Sequence, residues 1–207
     1  MRDPVMERAT LAAKRDFDLL PRSAEIGVYP AKNSTLGSLA EMANRLVPGV
    51  HITKPVLARY HRFDPGSILT FSRNGRLLGA VAFLFLNSRG HEALMLDEIC
   101  LTHPDIGLLA AASEEVSAIY VWAIAGQGRA MAGLGNVSEH LSRPRLAPAD
   151  LYAQPSSADG RNLMIAIGFE PIHSCQRELW RYQRPWNRIP INAPAFQPAG
   201  SFADARH

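Results

Sequence analysis

The chain is poor in the residues that staple, chelate or anchor a protein. Its 207 residues include two cysteines, Cys100 and Cys175, which form no CxxC pair. That excludes a disulfide scaffold and points to free thiols in a reducing compartment. The seven histidines, among them His51, His61 and His103, are scattered without ligand spacing, so no metal site is expected. No apolar run reaches the ~18 residues that suggest a membrane span. The first residues carry Asp3 and Glu7 and no long apolar stretch, so no secretory signal is expected. There is no dense Lys/Arg run and no internal repeat; the net charge is +3. A balance this mildly basic suits an anionic ligand, not a nucleic acid. The expectation is a cytoplasmic protein that binds neither membrane nor nucleic acid.

What is present is a core. Hydrophobic residues make up 47% of the chain and charged residues 20%, enough for one folded domain with extra segments at its ends. Residues 1–33 read as a loosely attached arm, with a helical pattern from Val5 to Leu20 and breaks at Pro21, Gly27 and Pro30. Asn33-Ser34-Thr35 offers N-cap side chains to a helix whose apolar face is Leu36, Leu39, Ala43, Leu46 and Val47, stopped by Pro48-Gly49. A second short helix is expected from Pro55 to Tyr60. Ser67–Phe71 and the apolar run Leu77–Leu86 read as strands joined at Asn74-Gly75, a strong hairpin signal. Ala93–Leu101 reads as a further strand or extended segment, interrupted by Asp97-Glu98.

The strand Ala118–Ile124 then runs into a glycine-bearing turn and a helix from about Ala130, with Ala130, Leu134, Val137 and Leu141 on one face. Such a turn leaves backbone N–H groups unpaired at the helix start and favours an anion such as a phosphate. Gly133 and Gly135 weaken the helix and permit close approach to its first turns. Ala149–Ala153 is a short strand. Pro155-Ser156-Ser157 caps another helix, which carries Leu163, Met164 and Ile167 inward and ends at Gly168. Phe169–Ile172 starts a strand, Gln176–Gln183 reads as an edge strand, and residues 185–207 form a proline-rich tail. The order of elements predicts an α/β (α+β mixed) fold, with a mixed central sheet flanked by helices on both faces.

From about Ser34 to Arg184 this order resembles the GNAT superfamily of acyl-CoA-dependent N-acyltransferases. Three stretches carry the resemblance. They are the helix pair followed by the Asn-Gly meander, the strand–turn–helix around Gly128, and Ala149–Ala153 followed by a helix and Gly168-Phe169-Glu170. The family's turn follows the pattern Gln/Arg-x-x-Gly-x-Gly/Ala. Gly128 and Ala130 match it, and Ala125 departs from it. The resemblance implies that acetyl-CoA or another acyl-CoA binds, with backbone contacts from Val121, Trp122, Ala123 and Ile124 to the pantetheine arm. Gly126, Gln127, Gly128, Arg129 and Ala130 would hold the pyrophosphate. The implied partner is an amine acceptor of unknown identity; a homodimer is a further expectation. The family often has a tyrosine, as general acid to the thiolate, where this chain has Met164, and an asparagine where it has Ser157. Tyr152 is the nearest tyrosine that can stand in.

Acyl transfer also needs a deprotonated amine. Asp97 and Glu98 break an apolar stretch, and on a strand only one of two neighbours faces a given side. Glu98 is therefore the expected base, with His103 as runner-up. The expected activity is N-acyl transfer from acyl-CoA, and the alternative is a GNAT-like acyl-CoA-binding module with little or no turnover.

Overall fold

A computed structural model describes residues 16–187 except positions 48, 50, 104 and 127. The expected helix over Val5–Leu20 lies mostly outside the described residues, as do Pro48, Pro104, Gln127 and the tail beyond residue 187. The elements are β1 (Gly27–Pro30), α1 (Leu36–Leu46), α2 (Lys54–Phe63), β2 (Ile68–Arg73), β3 (Arg76–Leu86), α3 (Ser88–Met95) and β4 (Ala118–Gly126). They continue with α4 (Leu134–Leu141), β5 (Asp150–Ala153), α5 (Ala158–Ala166), β6 (Glu170–Pro171) and β7 (Trp180–Tyr182).

The seven strands form one sheet in the order β1-β2-β3-β4-β5-β7-β6. β4 and β5 are parallel, and the other neighbours are antiparallel. Helices cover both faces, as expected. Leu134, Val137 and Leu141 of α4 and Met164 of α5 pack with Val81, Ile119 and Leu151 on one side. Leu36, Leu39 and Ala43 of α1, Leu57 and Tyr60 of α2 and Leu94 of α3 pack with Leu84, Tyr120 and Tyr152 on the other. The hairpin forms where Asn74-Gly75 placed it, with φ of 51° and 75° at the two central residues.

Several expectations change. α1 starts after a 3-10 turn at Asn33–Thr35, and Thr35 makes no side-chain cap. The stretch read as a strand from Ala93 is the end of α3. The Asn87 side chain accepts from Gly90 N–H at 2.9 Å and opens this helix. Asp97 (φ 62°) closes it, with Glu98 N–H returning to the Ala93 carbonyl at 2.9 Å. Asp97-Glu98 therefore ends a helix instead of interrupting a strand. β7 is an inner strand and only three residues long; β6 is the outer one.

Residues 16–33 are tied into the fold, not loosely attached. Gly27–Pro30 add β1 to the sheet edge against β2. The segment before β1 crosses α4. The Asn136 side chain accepts from Ser23 N–H (2.7 Å) and donates to the Ser23 and Ile26 carbonyls (3.1 and 3.2 Å). A Cβ on Gly135 would lie 2.2 Å from the Pro21 carbonyl oxygen, so the close approach it permits is that of the chain's own N-terminal segment. Arg184, only 1% exposed, fixes the start of this segment: it pairs with Asp18 and donates to the Ala149 and Leu141 carbonyls.

β4 has two irregularities at one point. Against β3, Ala82 pairs with Ala123 and Phe83 with Val121, so Trp122 is the extra residue of a bulge. Against β5, pairing ends at Val121↔Ala153. From Trp122 to Gly126, β4 keeps β3 as its only strand partner.

Candidate functional site

The parting of β4 and β5 follows from local sequence. The bulge bends β4. On the other side Pro155 has no N–H to offer a ladder. Ser157 caps α5 by accepting from Gly160 N–H at 3.0 Å, which turns the chain away from the sheet. A cavity of about 740 Å³ occupies the gap, within the ~300–1,000 Å³ of small-molecule sites. Its walls come from both sides of the sheet: Leu134, Val137 and Met164 on one, Leu46, Val47 and Leu101 on the other. It therefore passes through the sheet at the gap. Among the described residues Asp159 is the one charged side chain in its lining.

Of the residues expected to bind the cofactor, Val121, Trp122, Ala123, Ile124 and Gly126 line this cavity. The segment after them folds back tightly: a Cβ on Gly126 would lie 2.8 Å from the Met131 methyl and 2.9 Å from the Ala130 Cβ. A 3-10 turn over Gly128–Gly133 leads into α4, so the α-helix starts at Leu134, later than expected. Ala130 is fully buried, backbone included, and does not line the cavity, so the expectation that it contacts the cofactor is not met. Arg129 is exposed and lies 3.7 Å from Glu25, which also pairs with Arg73 at 3.0 Å.

The expected catalytic residues are not in this cavity. Alternation along β5 turns Leu151 and Ala153 toward it and Tyr152 to the opposite face. The Tyr152 hydroxyl lies 3.0 Å from His91 Nε2, and burial raises its pKa. Glu98 is exposed in the loop after α3 and does not line the cavity. His103 does not line it either. Met164 does, and its thioether has no proton to donate.

The tyrosine that does line the cavity is Tyr120, on β4 just below the gap. It is 5% exposed, burial raises its pKa, and its hydroxyl accepts from Gln176 Nε2 at 3.4 Å. Gln176 also donates to Gln154 Oε1 at 3.4 Å, and Gln154 lines the cavity too. Sequence reasoning missed this group. Tyr120 has one local signal: it stands two positions before Trp122, on the same face of the strand.

No family model matches this sequence, and no curated protein matches it. Solved structures do. The loading GNATL domain of CurA from Lyngbya majuscula matches at 12% identity and a TM-score of 0.47, over 62% of this chain and 64% of that domain's chain. This chain thus spans less than two thirds of it. GphF, a GNAT-like decarboxylase in complex with isobutyryl-CoA, matches at 13% identity and a TM-score of 0.45, over 66% and 70% of the two chains. The NatB acetyltransferase complex bound to a bisubstrate inhibitor matches at 12% identity and a TM-score of 0.49, over 77% and 91%. The strand order and the open edge of β4, not these overlaps, carry the functional reading.

Proposed function

We propose that this chain is an acyl-CoA-dependent N-acyltransferase, moving an acetyl or longer acyl group from CoA to an amine. The observation that supports it is the gap between β4 and β5, with a cavity that opens to both layers of helices. Trp122–Gly126 have no β5 partner, so their backbone groups on that edge are free to pair with the amides of a pantetheine arm. The turn from Gly126 to Arg129, with the Arg129 guanidinium, receives the pyrophosphate.

The acceptor enters from the side of α1 and α2. Its nitrogen attacks the thioester carbon, the C–S bond breaks, and the nitrogen gives up one proton to water. Tyr120 donates a proton to the departing sulfur and recovers one from water. A thiol near pKa ~8.5 is a tolerable leaving group, so the acid assists the reaction without being indispensable to it.

A second reading, acyl-CoA binding without turnover, is favoured by Met164 and by Glu25 beside Arg129 on the turn. Thermal unfolding with acetyl-CoA tests the binding step common to both. At a hundredfold excess over Kd the ligand adds about 2.7 kcal/mol. Gly128→Asp is expected to abolish this gain by placing a carboxylate at the pyrophosphate position. No shift with any acyl-CoA sinks both readings, and retained binding in Gly128→Asp rejects the assigned turn. Thiol release with a panel of amines separates transferase from binder.

A further inference from the structure

The cavity changes character from one end to the other. Apart from Tyr120 and Trp122, its polar side chains are Gln154, Ser156, Ser157 and Asp159, all from the stretch that joins β5 to the first turn of α5. Further in, on the side of α4 and α5, the walls are Met164, Ile167, Leu151, Phe169 and Phe17. No polar side chain among the described residues lines that part. Met164, Ile167 and Phe169 keep 8%, 7% and 5% of their surface accessible, while Leu151 keeps 1% and forms the floor.

This inner bay runs past the point where β4 and β5 part. The last pair of their ladder is Val121↔Ala153, and Leu151 pairs with Ile119 two residues below it. At roughly 3.3 Å per residue the bay reaches about 7 Å beneath the closed part of the sheet. Its far end is aromatic. Tyr182, the partner of Leu151 on β7, has the Phe169 ring at 5.7 Å and the Phe17 ring edge-on at 5.6 Å. Phe17 comes from the N-terminal segment, outside the stretch that resembles the acyltransferase family. Its neighbour Asp18 is paired with the buried Arg184.

The order of surfaces is that of an acyl-CoA read from head to tail. The pyrophosphate belongs at the turn after β4, the pantetheine amides at the unpaired edge of Trp122–Gly126, and the thioester at the parting. The acceptor and Tyr120 occupy the side of α1 and α2, which leaves the side of α4 and α5 to the acyl chain. Water there finds no side-chain hydrogen-bond partner, and an acetyl group leaves the walls without contacts. Resting on the acyltransferase reading, we propose that the donor carries an apolar acyl chain of about four to six carbons and that Phe17 sets the upper limit. That is the length ~7 Å accommodates at C–C bonds near ~1.5 Å.

Calorimetric titration of the full chain with CoA and with acetyl-, butyryl-, hexanoyl- and decanoyl-CoA tests this. Butyryl- and hexanoyl-CoA are expected to bind at least about tenfold more tightly than acetyl-CoA, from the apolar surface their extra methylenes bury. Decanoyl-CoA, too long for the bay, is expected to lose that gain. Phe17→Ala removes the end wall and should restore tight decanoyl-CoA binding. Ile167→Phe narrows the bay and should abolish the gain of hexanoyl-CoA. Neither residue lies on the β4 edge or the turn that hold CoA, so CoA alone reports whether each variant is folded; the chain-length series of the unaltered protein decides by itself if one is not. Equal affinity for acetyl- and hexanoyl-CoA overturns the proposal. So does affinity that keeps rising to decanoyl-CoA in the unaltered protein, or a Phe17→Ala variant that binds CoA and still rejects decanoyl-CoA. If CoA and every acyl-CoA fail to bind, the acyltransferase reading falls as well; if CoA binds with no preference for chain length, the acyl pocket alone falls.

Discussion

The two halves of β4 are made of the same material and differ in their neighbours. Ala118–Val121 and Trp122–Gly126 are both apolar, and most of their side chains are buried. The first half has a strand on each side; the second has β3 alone. An unpaired strand edge inside a protein is costly unless something completes it. Residue type therefore does not separate scaffold from site in this strand. The missing ladder does.

The contrast is sharpest at Ile119 and Ile124. Ile119→Ala removes a fully buried side chain from the closed half and is expected to cost about 2–5 kcal/mol in urea unfolding. The stabilisation gained from acetyl-CoA should persist in that variant. Ile124→Trp fills the open half, where Ile124 is half-buried and lines the cavity. It is expected to lose the ligand-dependent gain of about 2.7 kcal/mol with little change in the urea midpoint. Parallel losses of both properties in both variants would mean that the halves are not distinct.

A smaller effect is expected at the junction. Tyr120→Phe should lower kcat about tenfold, or about 1.4 kcal/mol of barrier, with acetyl-CoA affinity unchanged. Unaltered turnover removes Tyr120 as the acid. The smallest effect belongs to the closed side, at His91. Burial holds its pKa below the usual 6.5. The folded chain then binds fewer protons than the unfolded one below that pH. The stability His91 contributes is present above pH 6.5 and is lost as the pH falls through its folded value. In His91→Gln the slope of stability against pH should flatten in that window, while acetyl-CoA binding stays as it was. A change in ligand affinity instead would connect the His91–Tyr152 pair to the open half.

Much of the layout was legible because local signals and packing agree. The Asn74-Gly75 turn, the apolar run of β3, the buried face Ala130/Leu134/Val137/Leu141 and the Ser157 cap all read directly from neighbouring letters. α3 did not, because Ala93-Leu94-Met95-Leu96 is an apolar run that suits either period, and its opening signal is the single side chain of Asn87. β1 was hidden by the breakers Gly27 and Pro30, which an edge strand tolerates. At the candidate site, the stretch Val121–Ile124 that lines the cavity was legible, and the side chains from outside β4 that meet it were not. Tyr152 lies on a strand that borders the cavity, but sequence alone does not reveal which alternate residues face a gap. Tyr120 and Gln176 are 56 positions apart, and only the fold brings them together.

The bulge at Trp122 also acts as a frameshift. Val121 and Ile124 lie on the side of α4 and α5 although an odd number of positions separates them, while Trp122 and Ala123, adjacent in sequence, both lie on the side of α1 and α2. β4 is thus read in one frame up to Val121 and in another after it. Deleting that single residue would restore one unbroken frame with Ile124 still on the side of α4 and α5, so the inserted position serves to show the α1 and α2 layer one side chain more, that of Trp122, without altering what the other layer is shown.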